Sequence, residues 1–91
     1  LPKCFLTSFY LSGYHYENRN FNEAYQACAA AWNEWRPGTI DPDLLSILAW
    51  TYLRSSLEVN VYPQVVNHYM EENKKEPNSL KSILFELHSQ I

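Results

Sequence analysis

Residues 41–53 read Asp41-Pro42-Asp43-Leu44-Leu45-Ser46-Ile47-Leu48-Ala49-Trp50-Thr51-Tyr52-Leu53. Asp41 is placed as a helix N-cap, and Pro42 takes the first helical position, where a missing N–H costs nothing. Asp43 then faces the positive end of the helix dipole. From Leu44 to Leu53 apolar side chains occupy nearly every side of the helix. A helix with so little polar face is covered on most sides, so this segment is expected to be the central element of an all-α fold.

On the N-terminal side, Leu6, Phe9, Tyr10, Gly13 and Tyr14 recur at spacings of three and four and predict a helix from about Cys4 to Glu17. Gly13, lacking a side chain, is expected to let a second helix approach closely. That neighbour is written in Phe21, Ala24, Tyr25, Cys28, Ala31, Trp32 and Trp35. Asn20 with Glu23 three residues later forms a capping-box pattern, and Arg36-Pro37-Gly38 ends the helix.

On the C-terminal side, a fourth helix starts near Tyr62 with Pro63 in its first turn, and Val65, Val66, Tyr69 and Met70 form its inner stripe. Pro77 breaks it, and a fifth restarts at Asn78 or Ser79 with Leu80, Ile83, Leu84, Leu87 and Ile91 at helical spacing. Only two glycines are present and no sustained alternation of apolar and polar residues occurs, so strands are not expected. About five helices joined by short connections predict antiparallel hairpins: one over 4–36, one over 42–76, and an additional helix over 79–91, an odd one without a hairpin partner that either packs on the fourth helix as a cap or continues into further repeats. The whole, 1–91, reads as a single helical domain. It begins on Leu1 without Met and ends on Ile91 within a helical pattern, so a fragment of a longer protein is expected.

Composition narrows the function. Of 91 residues, 46% are hydrophobic and 15% aromatic, enough apolar area for a globular core. Seven basic against ten acidic residues give a net charge of -3. No basic stripe is present to displace counterions from nucleic acid, so DNA binding is not expected. The apolar runs are too short to span a bilayer, and no leader-type segment precedes the first helix, so an intracellular location, cytoplasm or organelle interior, is expected rather than secretion. Cys4 and Cys28 read as two buried free thiols, with a single bridge between neighbouring helices as the alternative.

Pro42-Asp43 and Pro77-Asn78 lie 35 residues apart, and Leu45 with Leu80, Leu48 with Ile83, and Trp50 with Phe85 keep that offset. Such a period in helix-turn-helix units points to solenoid repeats. The segment from Leu44 to Asn78, with Met70 seven residues before Pro77-Asn78, resembles a pentatricopeptide repeat. That from about Phe9 to Pro37 is similar to a tetratricopeptide repeat through Phe21, Ala24, Cys28 and Ala31. Two residues depart from these patterns: Pro63 stands where both families place a helix-contact Ala, and Gly13 is one residue out of register. The resemblance implies a right-handed α-solenoid fragment; a closed small helical bundle is the other architecture compatible with the helix pattern. The pentatricopeptide resemblance also implies base-selecting positions at Leu48 and Asn78. Leu48 cannot hydrogen-bond a base edge, so RNA recognition by this segment is disfavoured.

No catalytic, cofactor-binding or metal-binding residue is assigned. His68 and Glu72, four apart, supply two ligands where zinc needs at least three from the protein. Asp41 and Asp43 are explained by capping, and Cys28 by the core. A non-catalytic protein-protein interaction or scaffold module, binding a partner helix or peptide on an apolar groove, is the leading expectation. Tyr14, Tyr16, Trp35 and Arg36 are its candidate contact residues: the tyrosines stand near the first hairpin turn, and Trp35 at a helix end where burial is hardest to complete. A degenerate portion of an RNA-binding organellar factor of pentatricopeptide type, and a helical subunit of a larger enzyme or membrane-associated assembly, are the alternatives.

Overall fold

The computed structural model describes residues 3–35, 41–75 and 80–89, with side chains over 5–35, 41–75 and 81–88. It contains five helices: α1 (Lys3–Glu17), α2 (Phe21–Glu34), α3 (Pro42–Glu58), α4 (Tyr62–Lys75) and α5 (Leu80–Ser89). No strand occurs among the described residues. The expected all-α class and the five helices are present.

Local chain chemistry closes α1 and both ends of α3. Asp41 Oδ1 accepts the Asp43 N–H at 2.8 Å, with Pro42 in the first turn. The capping box expected at Asn20 does not form; its side chain makes no cap hydrogen bond. Instead the Asn20 N–H donates to His15 O (2.8 Å) and the Arg19 N–H to Tyr16 O (3.1 Å). Those two bonds close α1 as a Schellman turn, with Arg19 left-handed at φ 61°. The backbone donor that Glu23 was to bind is thereby committed to α1. The α3–α4 connection repeats this turn: Asn60 N–H to Leu57 O and Val61 N–H to Ser56 O, with Asn60 at φ 63°. The two left-handed residues stand 41 positions apart.

Positions related by the 35-residue register are not all equally buried. Leu48 is buried where its expected counterpart Ile83 is 52% exposed, and Trp50 is exposed where Phe85 is buried. Pro77 and Asn78, which anchored that register, lie outside the described residues, as do the side chain of Leu80 and all of Ile91.

Helix α3 packs against each of the other four, as its nearly uniform apolarity predicts. The remaining pairs are α1 with α2 and α4 with α5. This pattern puts α1, α3 and α5 in one row, with α2 and α4 across from them. The 17 Å short dimension fits two such layers, and the 12.1 Å radius of gyration matches a compact globule of this length, about 12 Å. Helix α5 lies on α4, as the capping alternative had it, and on α3 as well, so its partners are within the chain. Leu84 and Phe85 are its buried residues; Phe85 closes over Tyr69 (centroids 4.9 Å apart) and Trp32 (6.2 Å).

The inner stripe of α1 also differs from the expected one. Phe5, Phe9, Ser12 and Tyr16 face inward, while Tyr10 and Tyr14 are exposed. This face buries two Phe rings and sets the small Ser12 against Cys28, while leaving the hydroxyls of Tyr10 and Tyr14 hydrated. Gly13 meets nothing: a Cβ built there has no neighbour within 4 Å. Close approach of α2 uses Ser12, Ala24, Cys28 and Ala31, all buried.

Candidate functional site

Among the described residues, ten large hydrophobic side chains are exposed: Tyr10, Leu11 and Tyr14 on α1; Leu44, Ile47, Trp50 and Leu57 on α3; Met70 on α4; and Ile83 and Leu87 on α5. Nine of the ten belong to the α1–α3–α5 layer. On α3 they descend at near-helical spacing, with Arg54 on the same ridge. The α1 end of this surface is tied in by Tyr16, whose ring meets Trp50 edge-on at 5.7 Å and Phe21 at 5.6 Å. The α5 end is tied in by a 2.8 Å hydrogen bond between Ser46 Oγ and His88 Nε2. Arg54 lays its guanidinium 5.9 Å from the Trp50 ring centre. A notch of about 30 Å³ opens here, lined by Trp50, Leu53, Arg54, Leu57, Tyr62 and His88.

The four expected contact residues are placed differently. Tyr14 is exposed, and Tyr16 is half-buried against Trp50. Trp35 is 1% exposed, against the expectation for a helix end. The chain leaves α2 at Trp35 in extended conformation (φ -79°, ψ 156°), which turns the indole inward beside Trp32. Lys81 of α5 then covers both rings, its Nζ 5.3 and 5.7 Å from their centres. Arg36 lies outside the described residues. Trp50, within the segment expected to be covered on most sides, is 41% exposed.

A second concavity, about 340 Å³, opens between the end of α2, the second half of α4 and the start of α5. Trp32, Tyr69 and Phe85 form its aromatic wall, and Asn33, His68, Glu72, Lys81 and Ser82 its polar rim. Trp32 is fully buried and contacts four other rings: Trp35, Tyr52, Tyr69 and Phe85. Its Nε1 has no hydrogen-bond partner. A buried donor left unpaired costs about 1–3 kcal/mol. Beside it the Tyr52 hydroxyl is hydrogen-bonded to that of Tyr69, which donates to Asn33 Oδ1 at 2.8 Å. This relay joins α3, α4 and α2. Burial holds both phenols well above the usual tyrosine range; the hydrogen bond from Tyr52 pulls Tyr69 part of the way back.

Cys28 carries a free thiol, which burial pushes up to about 12, with the Ser12 hydroxyl offsetting part of that shift. A thiol so far from ionisation is a packing group, not a nucleophile. The side chain of Cys4 lies outside the described residues. His68 packs edge-on against Tyr69 at 4.7 Å, and Glu72 pairs with Lys75 at 3.5 Å. Among the described residues no group of three or more His, Cys, Asp or Glu is arranged to hold a metal, and no helix is long and apolar enough to cross a membrane.

Linear reading missed the Ser46–His88 link and the cleft formed by Asn33, Tyr69, Lys81 and Phe85. Ser46 and His88 stand 42 residues apart, and Asn33 stands 36 from Tyr69, so no local spacing announces them. The signal that did exist was the excess of aromatics, which implied that some rings would remain uncovered. Compared with protein-family models, with curated proteins and with solved structures, the chain finds no match in any of the three.

Proposed function

We propose that this chain is a non-catalytic interaction module that receives an amphipathic helix of a protein partner on the α1–α3–α5 layer. The observation that carries this reading is the concentration of exposed apolar side chains on that one layer. Leu44, Ile47, Trp50, Arg54 and Leu57 make a ridge about 20 Å long at 1.5 Å per residue. Ridges of this pitch pack into the groove of another helix, whereas an extended strand requires an exposed sheet edge. Trp50 is the expected anchor, because large aromatics with a polar handle dominate interface energetics. Tyr14 and Tyr16 flank it on α1, and Trp35 supports the module from within.

The test uses the full chain expressed in its native cell. A partner that co-purifies with it should be crosslinked along α3 between Trp50 and Leu57, and Ile47→Glu or Leu57→Glu should release it at unchanged helicity. Retention of every partner by both variants, with crosslinks falling on α2 or α4, would count against the reading.

A further inference from the structure

We infer that the helix received on the α1–α3–α5 layer is a basic one, with Lys or Arg flanking its apolar seam. This rests on the reading that the layer receives a helix, and it adds what that helix must carry.

The charged side chains exposed on the described parts of α1, α3 and α5 are Glu17, Asp43, Arg54, Glu58 and Glu86. Glu86 is already engaged. That leaves three carboxylates against one guanidinium, and no ion pair among the described residues takes up Glu17, Asp43 or Glu58. On α4, by contrast, Glu71 pairs with Lys74 at 3.1 Å and Glu72 with Lys75 at 3.5 Å, so charge there cancels locally.

The three acids stand where a docked helix would meet them. Asp43 and Glu58 lie just before and just after the Leu44–Leu57 ridge, about 22 Å apart along α3. Helical spacing puts Asp43 on the stripe of Ile47 and Trp50, and Glu58 on that of Trp50 and Arg54. Glu17 shares its stripe with Tyr10 and Tyr14, and it follows Tyr16, whose ring meets Trp50 at 5.7 Å. Glu17 and Glu58 are also the last residues of their helices, at the negative dipole ends, and the last turn of α3 holds no base. A partner cation beside either one neutralises a carboxylate and a helix terminus together. The same charges oppose other occupants: a second copy of this face brings its own three carboxylates, and RNA or an anionic lipid surface brings phosphates.

The full chain is used to select from displayed helices of about 20 residues that share one leucine seam, with flanking positions randomised among Lys, Gln and Glu. The selected helices should be rich in Lys at those flanks and lose binding to Ile47→Glu. Their affinity should fall at least about tenfold from about 50 to 500 mM NaCl, whereas a Gln-flanked control should hold. Glu17→Lys combined with Glu58→Lys spares the ridge and suits both helix termini, so the fold should persist. That double variant should weaken the Lys-flanked helices by about tenfold and turn selection toward Glu flanks. If it loses helicity, the wild-type selection and the salt dependence decide alone. Enrichment of Gln or Glu flanks on the wild-type chain overturns the basic partner and leaves the helix-receiving layer standing. Selected helices that bind Ile47→Glu unchanged, or no helix selected, overturn both. Self-association, or binding to phosphatidylserine vesicles, that Ile47→Glu abolishes gives the layer a different occupant and also overturns the basic helix.

Discussion

The Tyr69 hydroxyl donates to Asn33 Oδ1 across 2.8 Å, joining α4 to the last turn of α2 although 36 residues separate them in the chain. Direct backbone packing between α2 and α4 is absent among the described residues. The layer they form is held by side chains: this hydrogen bond, and the edge-on contact of Trp32 with Tyr69 at 6.1 Å. Tyr69→Phe preserves the ring and removes the bond, leaving the buried Tyr52 hydroxyl without its acceptor. We expect a loss of about 1–2 kcal/mol, read as a lower urea midpoint at unchanged slope. A midpoint equal to wild type would show that the bond is replaced by hydration of Asn33.

The two Schellman turns make a paired prediction. Arg19 and Asn60 share the same left-handed conformation, φ 61° and 63°, but not the same tolerance for it. Arg carries a Cβ that clashes there, whereas Asn visits this region readily. Arg19→Gly should therefore stabilise the chain by about 1 kcal/mol, and Asn60→Gly by clearly less. Thermal denaturation of both variants checks the ordering, and equal shifts would contradict it.

Gly13 offers the opposite substitution. It lies within α1, exposed, with open space where a Cβ would be. Gly13→Ala should raise stability by roughly 0.5–1 kcal/mol through helix propensity and a less flexible unfolded chain. If α2 required the missing side chain for close approach, the same change would destabilise, so the sign of the urea-midpoint shift distinguishes the two.

Alkaline pH should weaken the fold. Cys28, Tyr52 and Tyr69 all have folded pKa values raised by burial, from ordinary values of 9.0 for the thiol and 10.0 for the phenols. Above those ordinary values the unfolded chain releases protons that the folded chain retains, so the stability they confer is complete below about pH 9 and falls as pH rises. For Cys28 the window runs from 9.0 to about 12. Each group contributes roughly 1.4 kcal/mol per pH unit within its window. Urea titrations at pH 7 and pH 10.5 measure the loss, and tyrosine absorbance should show part of the phenol population ionising only on unfolding.

Much of the architecture was legible before folding because it rests on local physics. Asp41-Pro42 opens α3 through a cap bond two residues long, Pro63 is tolerated in the first turn of α4, and the uniform apolarity of Leu44–Leu53 made α3 central. Those features depend on neighbours in the chain and on a period of 3.6, both written in the residue order. The choice of face on α1 was not legible in that way. Tyr10–Gly13–Tyr14 and Phe5–Phe9–Ser12 are both acceptable helical stripes, and the second is the one that meets the core, with Ser12 against Cys28, Phe5 in the cluster and Phe9 packed on it. The same holds for Trp35 and Trp50. Trp35 is buried with Lys81, 46 residues later, over its ring, and Trp50 stays 41% exposed with Tyr16, 34 residues earlier, against its edge. Burial is decided by which distant helix arrives, and the periodicity of a single segment carries no information about that arrival.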